Sequence, residues 1–163
     1  MSAVIRLSTT LRRLPGAKLF STFTLTPTIV QKGLTELWPE QCDGIKCDEI
    51  SNRHAVMSHE VDAASLRPGG YISGPRQFAM ADLGMWVAVW GALDRIEPMA
   101  LTSELSIRFV RPAIGQVLHS RIDVNAVSGR SLVCTAVVWT DESDSARPCS
   151  IAQGTYVLPR QKS

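Results

Sequence analysis

One carboxylate interrupts the most apolar stretch of this chain. The run "YISGPRQFAMADLGMWVAVWGAL", residues 71–93, reads as a helix with Asp82 in its middle. Residues three, four and seven places away on a helix share a face. For Asp82 these are Phe78, Ala79, Met85, Trp86 and Val89, all apolar, and the opposite side offers Met80, Gly84, Val87 and Gly91. A helix apolar all round is either a membrane span or a buried core helix. The run 78–93 is shorter than the ~20 residues a bilayer needs, which favours the core helix and argues against a membrane span. An ionised carboxylate buried there costs several kcal/mol unless it is paired, hydrogen-bonded or wetted by a cleft. Two readings stand: a catalytic acid at a cleft, or an acid that caps a neighbouring strand or sits at a solvent window.

The start of the same helix supplies a second chemical feature. Ser73 suits an N-cap, Gly74 permits close approach of the backbone, and Pro75 suits the first turn. A helix beginning there presents free N–H groups and a partial positive charge, which favours a developing oxyanion. Asp82 lies eight residues on, roughly 12 Å along the axis. A ligand lying along the first turns would meet both groups. Ser-Gly-Pro is equally a plain helix start.

Composition narrows the class. The 163 residues are 45% hydrophobic and 20% charged, ordinary for one globular domain with a proper core. The net charge of +2 is unevenly spread: residues 1–35 hold five basic residues and no acid, so the rest is mildly acidic. That balance argues against nucleic-acid binding. Cys42, Cys47, Cys134 and Cys149 include no CxxC pair and no secretory signal precedes them, so all four are read as reduced. His54, His59 and His119 lack zinc-type spacing, and no metal site or cofactor is expected.

The elements that must position Asp82 follow from periodicity. The segment 1–35 is set apart from a domain spanning 36–163. Its first 23 residues are basic, rich in Ser and Thr, with Val4, Leu7, Leu11 and Leu14 on one helical face. They fit either a native helix, with a cytoplasmic protein, or a transit peptide directing it to the mitochondrial matrix. Strands are predicted at 43–51 and 53–61, and "SLRPGG" as a loop before the helix. "LTSELSIRFV" alternates, with Leu101, Ser103, Leu105, Ile107 and Phe109 on one face. "VLHSRIDVNAV" places Leu118, Ile122, Val124 and Ala126 together; "SLVCTAVVWT" and "CSIAQGTYVL" complete the set. One long buried helix with antiparallel strands curled around it gives an α+β fold of five or six strands.

Taken in order, "RPGGYISGPRQFAMADLGMWVAV", "LTSELSIRFVRPA", "SGRSLV" and "AQGTYVLP" resemble the hotdog-fold thioesterases, specifically the phenylacetate-pathway (PaaI-like) branch, over about residues 43–159. In that family a His-Gly-Gly opens the central helix and a catalytic Asp or Glu follows within it. Matching from the acid backwards implies Asp82 as base or nucleophile, Gly74 as the oxyanion donor through its amide, and Ser73 at the histidine position. Pro75 takes the place of the second glycine. Thr102 falls at a Ser/Thr position that orients the attacking group, contributed by the partner subunit. Arg67 stands near the place of an Asn or Gln that holds water in relatives. Phe78, Met85 and Trp86 would shield Asp82, and Arg108, Arg111 and Arg130 are candidates for the coenzyme A phosphates. The resemblance implies hydrolysis of an acyl-CoA thioester by a homodimer or dimer of dimers. A hotdog hydratase would pair its acid with a histidine, and residues 71–93 contain none. A non-catalytic acyl-CoA-binding module is the alternative that Ser73 and Arg67 leave open.

Overall fold

The computed structural model describes residues 22–160. The two readings of residues 1–20 lie outside the described residues. Helix α1 (Pro27–Leu37) leads into β1 (Ile45–Ile50) and β2 (His54–Glu60). A short 3-10 turn, Ala63–Ser65, and a small hairpin of β3 (Leu66–Arg67) and β4 (Tyr71–Ile72) come next. The long helix α2 (Gly74–Leu93) is followed by β5 (Leu101–Phe109), β6 (Val117–Ser128), β7 (Ser131–Thr140) and β8 (Ser150–Val157). The six long strands form one antiparallel sheet in the order β1-β2-β6-β7-β8-β5.

Strict alternation on β6, β7 and β8 builds the inner face. Leu118, Ile122, Leu132, Cys134, Ala136, Val138, Ala152 and Tyr156 point inward and are buried. Helix α2 lies on this face, its Met80, Met85, Val87, Val89 and Trp90 essentially sealed from solvent. Gly84 lets the two surfaces meet. A Cβ there would stand 2.2 Å from Ile122 Cδ1, far inside van der Waals contact.

Two of the predicted alternations are broken by β-bulges, which place one extra residue in a strand and reverse the facing of one side of the strand relative to the other. In β5 the pairing steps from Thr102↔Tyr156 to Glu104↔Thr155, so Ser103 is the extra residue. Leu105, Ile107 and Phe109 keep inward-facing partners, but Leu101 pairs with Val157 and turns outward. Thr102, opposite Tyr156, turns inward instead. In β6 the step from Val124↔Cys134 to Ala126↔Val133 likewise removes Ala126 from the face of Leu118, Ile122 and Val124.

Helix α1 was not expected, and the boundary at residue 35 falls within it. Thr26 caps it, accepting from the Ile29 N–H, and Pro27 occupies the first turn. Val30 and Leu34 are fully buried, and Gln31 bridges to β1 by donating to the Ile45 carbonyl and accepting from the Cys47 N–H. The chain just before α1 is tied to the end of α2, where the Asp94 carboxylate accepts from the Thr24 N–H, the Thr24 hydroxyl and the Leu25 N–H. One sheet edge, β1, therefore carries α1, while β5 is the opposite edge.

Candidate active site

Asp82 is not sealed in the core. It is half-buried in the wall of a cavity of about 530 Å³ that runs between α2, the end of α1 and the start of β5. The stripe Arg76, Ala79, Asp82, Leu83 and Trp86 of α2 forms one side of this cavity. The all-round apolar reading of the helix fails along that stripe, because it faces an opening rather than packed side chains.

Two hydroxyls hold the carboxylate. Thr102 Oγ1 donates to Asp82 Oδ1 at 2.8 Å, and the Tyr156 hydroxyl lies 2.7 Å from the same oxygen. The Tyr156 hydroxyl is also 2.8 Å from the Asp82 carbonyl oxygen, so its one proton is shared between two acceptors of the same residue. Asp82 Oδ2 makes no hydrogen bond among the described residues and is the free oxygen of the carboxylate. Burial pushes the Tyr156 phenol well above its ordinary range, and the neighbouring Asp82 charge adds to the rise. Tyr156 therefore remains a proton donor at any physiological pH. The bulge at Ser103 is what aims Thr102 here; in an unbroken β5 its side chain would point to the outer face. Thr102 reaches the Asp82 of its own protomer, which corrects the expectation that it comes from the partner subunit.

Gly74 opens elsewhere. It is the first residue of α2, with Ser73 as N-cap accepting from the Arg76 N–H. Gly74 lines a second cavity of about 590 Å³ together with Arg67, Gln77, Phe109 and Arg111. Within one protomer Gly74 and Asp82 thus face different cavities, and a single ligand lying along the first turns of α2 does not meet both.

A Ser–His–Asp cluster among the described residues is structural. The Ser65 hydroxyl donates to Asp62 Oδ1, and His59 Nε2 stands 3.3 Å from Ser65 Oγ. The serine proton points to the carboxylate rather than the imidazole, the reverse of what activates a serine nucleophile. Ser65 is fully buried, and its carbonyl accepts from the Ser73 N–H, so the cluster anchors the entry to α2. Burial lowers the His59 pKa, and nearby Arg76 lowers it further. All four cysteines are free and buried. Burial pushes the Cys42 and Cys134 thiols up to about 11 and Cys47 to about 12, which leaves them without thiolate character at neutral pH.

Residues 69–146 match the family model described as the thioesterase superfamily. This is a hotdog domain, and its central part carries the thioesterase-superfamily match. No curated protein matches the chain in sequence. Among solved structures, a candidate thioesterase of Silicibacter sp. superposes with a TM-score of 0.73 at 24% identity, covering 82% of this chain and 92% of its own. Thioesterase superfamily member 2 of zebra fish gives 0.72 at 14% identity, with 83% and 100% covered. The Escherichia coli PaaI protein of the phenylacetic acid degradation operon gives 0.63 at 17% identity, with 77% and 92% covered. The fold is that of these proteins, and the family match supports thioester hydrolysis in general terms.

The hotdog domain sorts the remaining sequence candidates by place. Trp86 lines the Asp82 cavity, but Phe78 is exposed and lines neither cavity, while Met85 is buried against the sheet at Gly154. Trp86 alone of the three is placed to shield the carboxylate. Arg67 and Arg111 line the Gly74 cavity, Arg111 also donating to the Pro148 carbonyl. Arg108 and Arg130 lie at neither cavity, and Arg130, in the β6–β7 turn, donates to the Leu158 carbonyl just after β8. Tyr156 was missed because nothing in "GTYVL" distinguishes a core tyrosine from a carboxylate-holding one. The signal available was only the period-2 pattern of β8, which puts it on the helix-facing side.

Proposed function

We propose that this hotdog domain hydrolyses acyl-CoA thioesters, with Asp82 as general base or nucleophile. The observation that carries the reading is the Asp82 carboxylate itself: one oxygen fixed by Thr102 and Tyr156, the other free at an apolar cavity. Such an oxygen takes a proton from water, whose oxygen attacks the thioester carbon, or attacks that carbon directly. The carbonyl oxygen gains negative charge and is stabilised by the Gly74 amide at the positive end of α2. Collapse of the tetrahedral species breaks the C–S bond and expels the coenzyme A thiolate. The water route releases the free acid at once, while direct attack leaves a mixed anhydride on Asp82 that a water molecule then hydrolyses to the free acid.

The functional unit is a homodimer, or a dimer of such dimers. Asp82 opens beside Thr102 at the start of β5, and Gly74 opens beside Phe109 at its end. β5 is an edge strand with Leu101 and Phe109 exposed, and an unpaired edge of nine residues is a liability unless covered. Pairing β5 antiparallel with its copy about a two-fold axis sets the start of one strand beside the end of the other. That places Asp82 against the partner subunit's Gly74, joining in each shared site the two groups that one protomer holds apart. Ser73 and Arg67 then act at the carbonyl side. Arg111 is the arginine best placed for the coenzyme A phosphates. No described helix is long and apolar enough to cross a membrane.

A panel of acyl-CoAs with a thiol-reactive dye tests this. Release of thiol from at least one member is expected. Tight binding with no release from any would favour a non-catalytic acyl-CoA-binding protein.

A further inference from the structure

We propose that Trp38, at the end of α1, is the ruler of an apolar acyl channel beginning at Asp82, so that the substrates are thioesters of apolar acyl groups whose length this indole limits. The proposal rests on the thioesterase reading of Asp82 and deepens it. Trp38 lies outside residues 69–146, the part matching the thioesterase superfamily, yet it lines the same cavity as Asp82, Thr102 and Tyr156. Trp86 follows Asp82 by one turn on the same face of α2, about 6 Å along the axis. The Trp38 ring stands edge-on to Trp86, with centroids 6.3 Å apart and planes at 88°. Trp86 in turn stands edge-on to Trp90 at 4.5 Å, and the Trp90 indole N–H is fixed on the Glu97 carbonyl. An acyl chain whose carbonyl is held at Asp82 therefore passes Trp86 and meets Trp38. Leu37, Leu83 and Leu101 make the flanking walls apolar, the chemistry of a hydrocarbon or aryl group.

The wall is fixed rather than loose. Gly33 brings α1 so close to the body that a Cβ there would stand 3.1 Å from Ile96 Cδ1 and 3.4 Å from the Trp90 ring. Gln31 fastens the middle of α1 to β1, and Asp94 fastens the residues before it. A wall anchored at three places yields little to an oversized chain, and tight packing penalises overfilling. Activity against straight-chain thioesters should rise about fourfold per methylene, the factor carried by one buried CH₂, until the chain reaches Trp38, and then fall.

The test compares the full wild-type chain with Trp38→Ala and Trp38→Phe on saturated CoA thioesters from acetyl to palmitoyl. Both coenzyme A release and quenching of indole fluorescence are read. The ruler requires the optimum of Trp38→Ala to move to longer chains in both readouts, with Trp38→Phe staying near the wild-type optimum. Identical length profiles for wild type and Trp38→Ala would overturn it. If no thioester is hydrolysed by the wild type, the hydrolase reading fails, and the binding profile alone decides the ruler in the same way. Neither release nor binding would overturn both.

Discussion

Removing the Tyr156 hydroxyl tests how Asp82 is held. Tyr156 is 3% exposed and places its hydroxyl 2.7 Å from a carboxylate oxygen. A hydrogen bond to a charged group contributes about 1.5–3 kcal/mol. Here the lower end applies, because Thr102 remains on the same oxygen and Asp82 is open enough for water to replace part of the loss. Tyr156→Phe keeps the ring that fills the core and deletes only the donor. If that bond fixes the carboxylate in its reacting geometry, ~1.5 kcal/mol corresponds to roughly a tenfold fall in kcat/KM. The same loss lowers Tm by about 3–6 °C for a chain of this size. Thr102→Val should behave similarly. The double variant should lose more than the sum, since Oδ1 then has no donor and the two residues share one acceptor. Steady-state kinetics and thermal melting on the same four proteins decide it. A Tyr156→Phe protein with lowered Tm and undiminished kcat/KM would refute the argument and reduce Tyr156 to a packing residue.

Three further outcomes are expected. Acidification should destabilise the fold from about pH 6.5 downward, because burial lowers the folded-state pKa of His59. Over that window the unfolded chain binds the extra proton, so stability rises with pH and is lost as pH falls. His59→Gln should flatten this upper part in pH-dependent melts, leaving the loss at lower pH from Asp62, Asp94 and Asp141, whose carboxyls are held down by hydrogen bonds chiefly from Ser65, Leu25 and Val117. An unchanged slope would exclude His59. Sedimentation at micromolar concentration should show a dimer or larger; a fully active monomer would contradict a site shared across β5. Deleting residues 1–20 should leave hydrolysis intact, and a soluble, folded but inactive product would show that the basic segment takes part in the chemistry.

What was legible in the sequence follows from period and composition. Ser73 as cap, the helix from Gly74 to Leu93 and the strands at 131–140 and 150–157 are fixed by local chemistry and alternation, and the structure has them within a residue or two. The fold, one long helix on an antiparallel sheet of six strands, followed from the same signals. The bulges at Ser103 and Asn125 were not legible, since an extra residue in a strand is stabilised by the pairing partner and leaves the apolar pattern looking intact. That is why Leu101 and Ala126 changed face and why Thr102 could be placed at Asp82 by resemblance but not by alternation. Helix α1 was missed because "PTIVQKGLTEL" contains Gly33 and three β-branched residues near its start, Thr28, Ile29 and Val30. Its stability comes from burying Val30 and Leu34 and from side chains distant in sequence, such as Asp94 on the segment before it. The split of Gly74 and Asp82 between two cavities was equally hidden, because spacing along one helix says nothing about which neighbours roof each end.

The central claim is that Asp82 is kept for chemistry, and Asp82→Asn tests it most directly. An asparagine oxygen can still accept from Thr102 and Tyr156, so the substitution removes charge and basicity while preserving the contacts that hold the side chain. Turnover of the best acyl-CoA should fall at least ~100-fold, the scale of losing a positioned base. Melting temperature should stay level or rise, because a partly desolvated carboxylate is costly to keep. A variant that melts lower yet turns over at the wild-type rate would contradict the claim and make Asp82 a structural acid.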